Sequence, residues 1–283
     1  MRLVHEMGKW IALGEAGETP LWRYVYGGKP KPFFHPVCTP AGHVLSNFEP
    51  HDHVWHRGLW FTIKFINGEN FWEERLPFGT QQTVGLPALT HQDDGRIVLA
   101  TRLRWVRPGG GTVIEENREI GYQALSADAY AIDLDTRLSA QTDLLLDRTP
   151  FTTWGGYGGL VMRGTRNWQK TRILLSDGTT TERPTGTRAA WADLSGVLDG
   201  GVAQSGGFAI LDHPANVRHP SPWYGGAERY NNYLNAAVLF HEPMALAAGH
   251  TLRLRYRVLV HDGLWDATRL NGAWTRFASE AES

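Results

Sequence analysis

Apolar and polar residues alternate with a period of two along most of this chain. In residues 96–106, RIVLATRLRWV, the large apolar side chains share one parity and two arginines take the other. Residues 128–140 and 251–260 repeat this arrangement. Successive side chains of a strand point to opposite faces, so each segment is typical of a strand with one buried and one wet face.

Shorter segments of the same kind fill the rest of the chain, and turn residues such as Asn67 and Gly68 separate them. The tail from about Trp265 is the one good helix candidate. Many strands without intervening helices predict an all-β fold, a large antiparallel sandwich of two sheets with a short C-terminal helix. Because no linker or repeat divides the chain, we expect residues 1–283 to form a single domain.

Composition narrows the choice of partner. The net charge is -1 and the basic residues are scattered, which disfavours nucleic acid and anionic membrane surfaces and favours a small molecule. Cys38 is the sole cysteine, so no intramolecular disulfide can form. The chain shows neither a secretory signal nor an uninterrupted apolar span, which predicts a cytoplasmic protein. Its 12 tryptophans suit both a core and a platform for sugar rings.

The first candidate site is the run HDHVWHRGLWF at 51–61, which places His51, His53, His56, Arg57 and Trp60 close together. If residues 51–53 are extended, His51 and His53 share a face and His56 joins them only through a bend. Acid/base or hydrogen-bonding work in a sugar pocket is the preferred interpretation. A structural turn is the plain alternative.

A metal site is the other alternative for this run. His51, His53 and His56 together supply the neutral imidazoles that hold a divalent metal such as Zn²⁺, or iron if a carboxylate completes the set. Arg57 argues against it, because a guanidinium repels a cation but binds hydroxyl groups or a carboxylate. An ordinary ion pair would explain Arg57 as well.

The second candidate site is AILDHPANVRHPSPWYGG at 209–226. Five polar residues follow an apolar strand and end in a loop that bears Trp223, and functional groups concentrate in such loops. They are Asp212, His213, Asn216, Arg218 and His219. The prolines and asparagine of this run are also turn formers, so a purely structural turn is the competing interpretation.

The third candidate is TTWGGYGGLVMRG at 152–164, in which Trp154, Tyr157 and Arg163 surround four glycines. Glycine permits close backbone approach and the aromatic rings suit stacking on a sugar, although a bulged core strand fits equally well.

Carboxylates for glycoside chemistry are offered by two runs, FWEER and EENREI. A pair about 5 to 9 Å apart can flank a glycosidic bond, whereas exposed strand-face charges are the ordinary alternative. The residues concerned are Glu73, Glu74, Glu115, Glu116 and Glu119.

The run HDHVWHRGLWFTIKFINGENFW, followed by YGGLVMR, GFAILDHPANVRHPSPW and LRLRYRVLVHDG, resembles the PmoA-like domain family over about residues 20–265. This resemblance implies a bacterial protein encoded near carbohydrate-degrading enzymes; the family name does not imply a membrane methane oxygenase. The run AGHTLRLRYRVLVHDG is also similar to the closing strands of galactose-mutarotase-like supersandwiches, which implies a fold of that form. Neither resemblance supplies catalytic residues.

Taken together, the sequence predicts an enzyme of bacterial sugar catabolism that moves a proton near the anomeric centre, in hydrolysis, elimination or epimerisation. The catalytic candidates are His53 and His56, with Asp212 and His213 as partners if the two segments meet. No cofactor is required. A non-catalytic carbohydrate-binding module and a metal-dependent oxidase or oxygenase using the 51–56 histidines stay open. The substrate-binding candidates are His51, Arg57, Trp60, Trp154, Tyr157, Arg163, Asn216, His219 and Trp223.

Overall fold

The computed structural model describes residues 2–15, 17–151, 155–198 and 204–280. Its regular elements are strands, apart from one helix near the C-terminus. The elements are β1 Arg2–Glu6, β2 Trp10–Gly14, β3 Trp22–Val25, β4 Phe33–Val37, β5 Leu59–Thr62, β6 Phe65–Ile66, β7 Glu69–Asn70, β8 Thr80–Thr83, β9 Ala88–His91, β10 Ile97–Val106, β11 Thr112–Ser126, β12 Ala129–Ala140, β13 Leu144–Asp147, β14 Gly159–Arg163, β15 Gln169–Leu175, β16 Thr180–Thr181, β17 Trp191–Val197, β18 Ser205–Asp212, β19 Trp223–Glu228, β20 Asn231–Ala236, β21 Met244–Leu246, β22 Thr251–Asp262 and α1 Ala267–Ala278.

Three antiparallel sheets contain these strands. The eight-stranded sheet has the order β1-β2-β3-β4-β5-β14-β20-β19. The ten-stranded sheet has the order β16-β15-β17-β18-β22-β12-β11-β10-β8, and β9 also pairs with β10. A small sheet, β21-β13-β6-β7, completes the fold. The predicted all-β antiparallel sandwich with a short C-terminal helix is therefore confirmed, while the finer likeness to galactose-mutarotase-like supersandwiches stays a prediction.

The main hydrophobic core lies between the two large sheets and follows the predicted alternation. On β14, Leu160 and Met162 join this core, and on β12 Ile132 and Leu134 join it from the other side. Burying alternate residues of each strand removes apolar surface from water and leaves the second face of each sheet free.

The second face of the ten-stranded sheet is partly covered by α1. Leu270 and Phe277 of the helix pack on outward-facing residues of β18 and β22. The expectation of a wet arginine face on β22 was wrong at this place, because Arg255 and Arg257 are buried. Arg257 pairs with Asp133 and packs on Phe277, at 4.8 Å from the ring centre. A strand pattern does not show which distant element covers its polar face.

The second face of the eight-stranded sheet carries a separate aromatic cluster. Phe33, Trp55, Trp60, Trp72 and Val161 form this cluster, apart from the sandwich core. Trp60 and Val161 are neighbours across β5 and β14, and the other two tryptophans come from loops that fold over the sheet. The outer face of this sheet is thus the base on which a pocket is built.

In the described part of the chain, no helix is long and apolar enough to cross a membrane.

Candidate functional site

The pocket opens on the outer face of the eight-stranded sheet, and strand register fixes its floor. Val161 of β14 pairs with Asn235 of β20, which pairs in turn with Tyr224 of β19. One row further along, Arg163 pairs with Tyr233. Because side chains two residues apart share a face, these rows present a grid of aromatic and polar groups to one side.

Loops close the pocket around this floor. Residues 52–56 form one wall, Trp72 and Glu73 form a second, and Tyr157 forms a third. The cavity has a volume of about 390 Å³, which falls in the range of small-molecule sites.

The first wall is a compact loop built from two successive turns. The backbone N–H of His53 donates to the carbonyl of Pro50, and that of His56 donates to the carbonyl of His53, both at 2.9 Å. The loop is closed by a hydrogen bond from the Glu49 N–H to the His56 carbonyl, at 2.9 Å. These turns bring the His53 and His56 rings to a stacked distance of 4.6 Å, while His51 stays exposed and does not line the pocket.

Two glycines let the loops join the sheet. Gly58 has φ +72°, and a Cβ there would stand 2.2 Å from the Phe34 carbonyl oxygen. Gly159 has φ +115°, and its Cβ would stand 2.2 Å from the Ala236 carbonyl oxygen. Neither position tolerates a side chain, so both connections next to the pocket depend on glycine.

His53 is the most exposed imidazole of the pocket, and it stands beside a carboxylate. Its Nδ1 lies 3.1 Å from Oδ2 of Asp52, a close charge contact whose angle is outside hydrogen-bond geometry. Burial raises the pKa of the Asp52 carboxyl, but the neighbouring His53 and the Arg163 charge outweigh it and the net pKa is lowered. Asp52 is therefore an anion beside the His53 ring.

His56 lies deeper and has a different character. Its ring packs 5.1 Å from Trp60 and edge-on to Trp72 at 6.4 Å. Burial, together with the positive charge of Arg163 and the proximity of His53, holds the pKa of His56 well below its usual range. His56 is thus a neutral hydrogen-bonding group at neutral pH.

Tyr157 of the third wall is bonded to Glu73 of the second. The Tyr157 hydroxyl donates to Oε1 of Glu73 at 2.9 Å, and Glu73 also forms an ion pair with Lys64. Burial is the main reason that the pKa of Tyr157 is raised. Its ring packs against Trp72 at 5.0 Å and Tyr224 at 6.0 Å, so this wall is largely aromatic.

Three other candidates from the sequence take different places. Arg57 is buried in ion pairs with Glu49 and Glu74 and does not line the pocket. Trp60 lies beneath the lining, 2% exposed. Trp154 lies outside the described residues.

The carboxylates predicted from the sequence lie in different parts of the fold, and only one of them lines the pocket. Glu73 lines the pocket, and Glu74 belongs to the Arg57 network. Glu115 and Glu119 are exposed on the outer face of the ten-stranded sheet, while Glu116 is buried in its core-facing side. No glycosidase pair forms from the β11 residues.

The second segment forms a closed cluster elsewhere, at the end of β18. Asp212 is fully buried and accepts hydrogen bonds from Asn216 Nδ2 at 2.7 Å, His219 Nδ1 at 2.7 Å and the Ser221 N–H at 2.8 Å. The His219 ring lies parallel to Trp274 of α1, 6.1 Å away. These groups bond one another within the fold, although Oγ of Ser221 has no partner among the described residues, and none of them lines the pocket.

His213 and Trp223 are also structural in their contacts. His213 Nε2 lies 2.9 Å from the Arg255 guanidinium, and burial followed by that charge lowers the pKa of His213 to about 4. Trp223 is 0% exposed in the sandwich core and donates through Nε1 to the Ala189 carbonyl at 2.9 Å. The structure therefore does not bring residues 212–223 into one site with residues 51–57.

Among the described residues, no three His, Cys, Asp or Glu side chains are arranged to hold a metal ion. His53 and His56 stack ring on ring instead of converging on a point, and His51 points elsewhere.

Several residues that line the pocket were not predicted from the sequence. Asn231, Tyr233 and Asn235 share one parity of β20, while Leu234 and Ala236 of the other parity are buried in the core. The same alternation could have identified them as an outward-facing polar row. Trp55, Trp72 and Tyr224 carried no such signal, because only the loops and the register place them.

Hydrogen-bond donors without partners gather around this pocket. In the described residues, no acceptor is found for Nε1 of Trp55, Nε1 of Trp60 or Nε of Arg163, all of which are buried. Nδ1 of His56 is buried and unpartnered too. Other unpartnered buried atoms lie elsewhere in the fold, such as Nε1 of Trp22 and Nε1 of Trp168. Those around the pocket differ in lying beside a cavity, where a polar ligand or water can supply the missing bond.

Fold and site together define an antiparallel β-sandwich with an aromatic and polar small-molecule pocket on the outer face of one sheet. A family model described as a family of unknown function, DUF6807, matches residues 14–275, so the chain belongs to the DUF6807 family. No match was found among curated proteins. The resemblance to the PmoA-like family was wrong, because the matching model is that of DUF6807. The expectations taken from that resemblance lose their support, and function must be argued from the pocket.

Proposed function

We propose that this protein is a carbohydrate-active enzyme in which His53 acts as general acid or base on a sugar or glycoside held in the pocket. The reaction is a proton transfer near the anomeric centre, as in hydrolysis, elimination or epimerisation. Such chemistry requires no cofactor, because imidazole both takes up and releases protons near neutral pH.

The observation that carries this proposal is the placement of His53. It is partly exposed, lines a cavity of ligand size and stands 3.1 Å from the Asp52 carboxylate. A carboxylate close to an imidazole favours its protonated form through charge attraction. His53 therefore has both the access and the partner that an acid/base group needs.

His56 takes a supporting role. Its pKa is well below the usual range because it is buried, so it does not supply a proton as an imidazolium at neutral pH. Stacked against His53, it fixes the position of that ring and offers a neutral hydrogen-bonding group to the ligand.

A sugar is the ligand class that matches the lining. Trp55, Trp72, Tyr224 and Tyr233 provide flat apolar faces, and Asn231 adds amide groups at the edge. Sugar rings present apolar C–H faces and polar rims, so aromatic rings beside hydrogen-bonding groups complement them.

Turnover measured on a panel of free hexoses, methyl glycosides and disaccharides tests the proposal. We expect one class to be converted, and we expect His53→Gln to lower kcat/KM by roughly 10²-fold or more. His51→Gln is the matched control, because His51 is on the same loop but exposed outside the pocket. Equal turnover of the two variants would refute the role of His53.

A non-catalytic carbohydrate-binding protein is the second candidate, and the density of aromatic rings around the pocket favours it. It predicts sugar binding by calorimetry with no conversion of any bound sugar. That result would replace the enzyme proposal. A cytoplasmic location stays a prediction.

A further inference from the structure

We propose that the sugar bound in this pocket is acidic and that the guanidinium group of Arg163 holds its carboxylate. This inference rests on the proposed function and names the substrate class for the same site.

Arg163 is a buried cation whose hydrogen-bonding capacity is only partly used. Its side chain is 2% exposed and lines the pocket. Nη1 donates to Oδ1 of Asn231 at 2.7 Å, and Nη2 makes a long contact of 3.4 Å with the Tyr230 carbonyl. For Nε no acceptor is found in the described part of the chain. A guanidinium group has five N–H donors, so donors stay available to a ligand.

The positive charge of Arg163 is also incompletely balanced. The nearest carboxylate is Asp52, whose Oδ2 lies 3.6 Å from Nη2, and Arg166 binds that same carboxylate directly. The pKa of Arg163 is lowered, chiefly by burial; Asp52 opposes this effect and the charge of Arg166 adds to it. An anion in the pocket would relieve this imbalance.

A nearby arginine shows what complete compensation looks like. Arg57 is as deeply buried as Arg163, yet it forms ion pairs with both Glu49 and Glu74. Although burial is the largest influence on the pKa of Arg57, these bonds reverse its effect and the pKa is raised. Two carboxylates therefore balance the buried Arg57 beneath the loop, whereas Arg163 in the pocket has no such pair.

The surroundings of the pocket carry a surplus of basic groups, although the whole chain has a net charge of -1. The lining contains two carboxylates, Asp52 and Glu73. The basic groups that pair with them are Lys64, Arg163 and Arg166, so basic groups exceed acidic ones by one. This local surplus favours a negatively charged ligand.

A carboxylate also fits the unpartnered donors. It is an acceptor-only group with two oxygens, and it forms its strongest bonds with a guanidinium fork. The unpartnered atoms of Trp55 and Arg163 are both N–H donors, and each needs an acceptor. A uronic acid supplies that acceptor on a ring that the aromatic walls can hold.

Calorimetric titration of the unmodified protein with matched ligand pairs tests this inference. Each pair is a hexuronic acid and its neutral hexose: glucuronate with glucose, galacturonate with galactose and mannuronate with mannose. We expect one acid to bind at least about tenfold more tightly than its neutral partner. The preference should weaken as salt concentration rises.

A neutral sugar that binds as tightly as its acid would overturn the inference but leave the proposed function standing. Absence of binding by every sugar would overturn both. The 6-phosphate of the same hexose is the third arm, and tighter binding of the phosphate than of the uronate would overturn the carboxylate assignment.

Variants locate the charge that is responsible. Arg163→Met should abolish the preference for the acid, and Arg163→Lys should keep part of it, because lysine retains the charge but not the fork. Arg229→Met is the control, since Arg229 is an exposed arginine at the tip of the β19–β20 hairpin. An equal loss of preference in Arg229→Met and Arg163→Met would contradict a specific role for Arg163.

Discussion

The loop at residues 50–57 and the segment at residues 212–223 are rich in the same residue types, yet they differ in where their polar atoms find hydrogen-bond partners. In the second segment, Asp212 receives three hydrogen bonds from its own neighbourhood, His219 and His213 are both paired, and the one unpartnered buried atom among the described side chains, Oγ of Ser221, lies away from the pocket lining. Around the loop, donors such as Nε1 of Trp55 stay without a partner in the described residues, beside a cavity. A polar cluster that satisfies itself holds the fold together, whereas one left unsatisfied beside a cavity is prepared for a ligand.

The largest expected effect is on stability and belongs to the second segment. Asp212→Ala removes the acceptor of three buried donors, so we expect a loss of about 3–5 kcal/mol in the free energy of unfolding. Urea unfolding measures the loss, and turnover per folded molecule should not change. A full loss of turnover in folded Asp212→Ala would show that this segment is functional after all.

Acidification should weaken the same segment by a somewhat smaller amount. The pKa of His213 is about 4 in the folded protein because of burial and Arg255, against about 6.5 in the unfolded chain. Below pH 6.5 the unfolded chain therefore binds a proton that the folded protein does not, and stability falls until about pH 4. The loss is on the order of 2–3 kcal/mol.

The control for this prediction is His213→Gln, compared with the unmodified protein at pH 7.5, 6 and 5. The variant should lose less stability between the first and last of these values. Identical pH dependence in the two proteins would contradict the neutral, buried state of His213.

The smallest effect concerns the aromatic wall of the pocket. Trp55→Phe shortens a ring that lines the cavity, and we expect sugar affinity to fall by about tenfold or less, which is about 1 kcal/mol. Trp274→Phe is the matched change in the other cluster, where Trp274 stacks on His219. Calorimetry should detect weaker sugar binding only in Trp55→Phe. Weaker binding by Trp274→Phe, with unchanged binding by Trp55→Phe, would contradict the difference between the two clusters.

The sequence predicts the sheets well because alternation is a local property. The burial pattern of β10, from Ile97 to Trp105, follows the parity of its residues. The same reasoning misjudges Arg255 and Arg257, because tertiary contacts bury them: Arg257 packs on Phe277 of α1, and Arg255 lies against His213 after β18.

The residues of the site are likewise predicted only as far as local sequence patterns reach. His53, His56, Tyr157 and Arg163 were singled out from composition and spacing, and all four line the pocket. His51 was grouped with His53 on the assumption of an extended backbone, but consecutive turns make His56 the neighbour instead.

None of residues 212–223 lines the pocket: Asp212 and His213 lie at the end of β18, and only Trp223, the first residue of β19, belongs to the eight-stranded sheet. β18 lies in the ten-stranded sheet, whereas β5 and β14 lie in the eight-stranded one. Sheet membership depends on strand pairing across the whole chain, which no single segment encodes.

The central claim is that the loop at 50–57 is functional and the segment at 212–223 structural, and a matched pair of histidine variants tests it most directly. Both kcat/KM on the converted sugar and Tm are measured for His53→Gln and His219→Gln. We expect His53→Gln to lose roughly 10²-fold in kcat/KM with Tm nearly unchanged. We expect His219→Gln to keep its turnover while Tm falls by about 2–4 °C for each kcal/mol lost. A fall in Tm with intact turnover for His53→Gln, and the reverse for His219→Gln, would contradict the account.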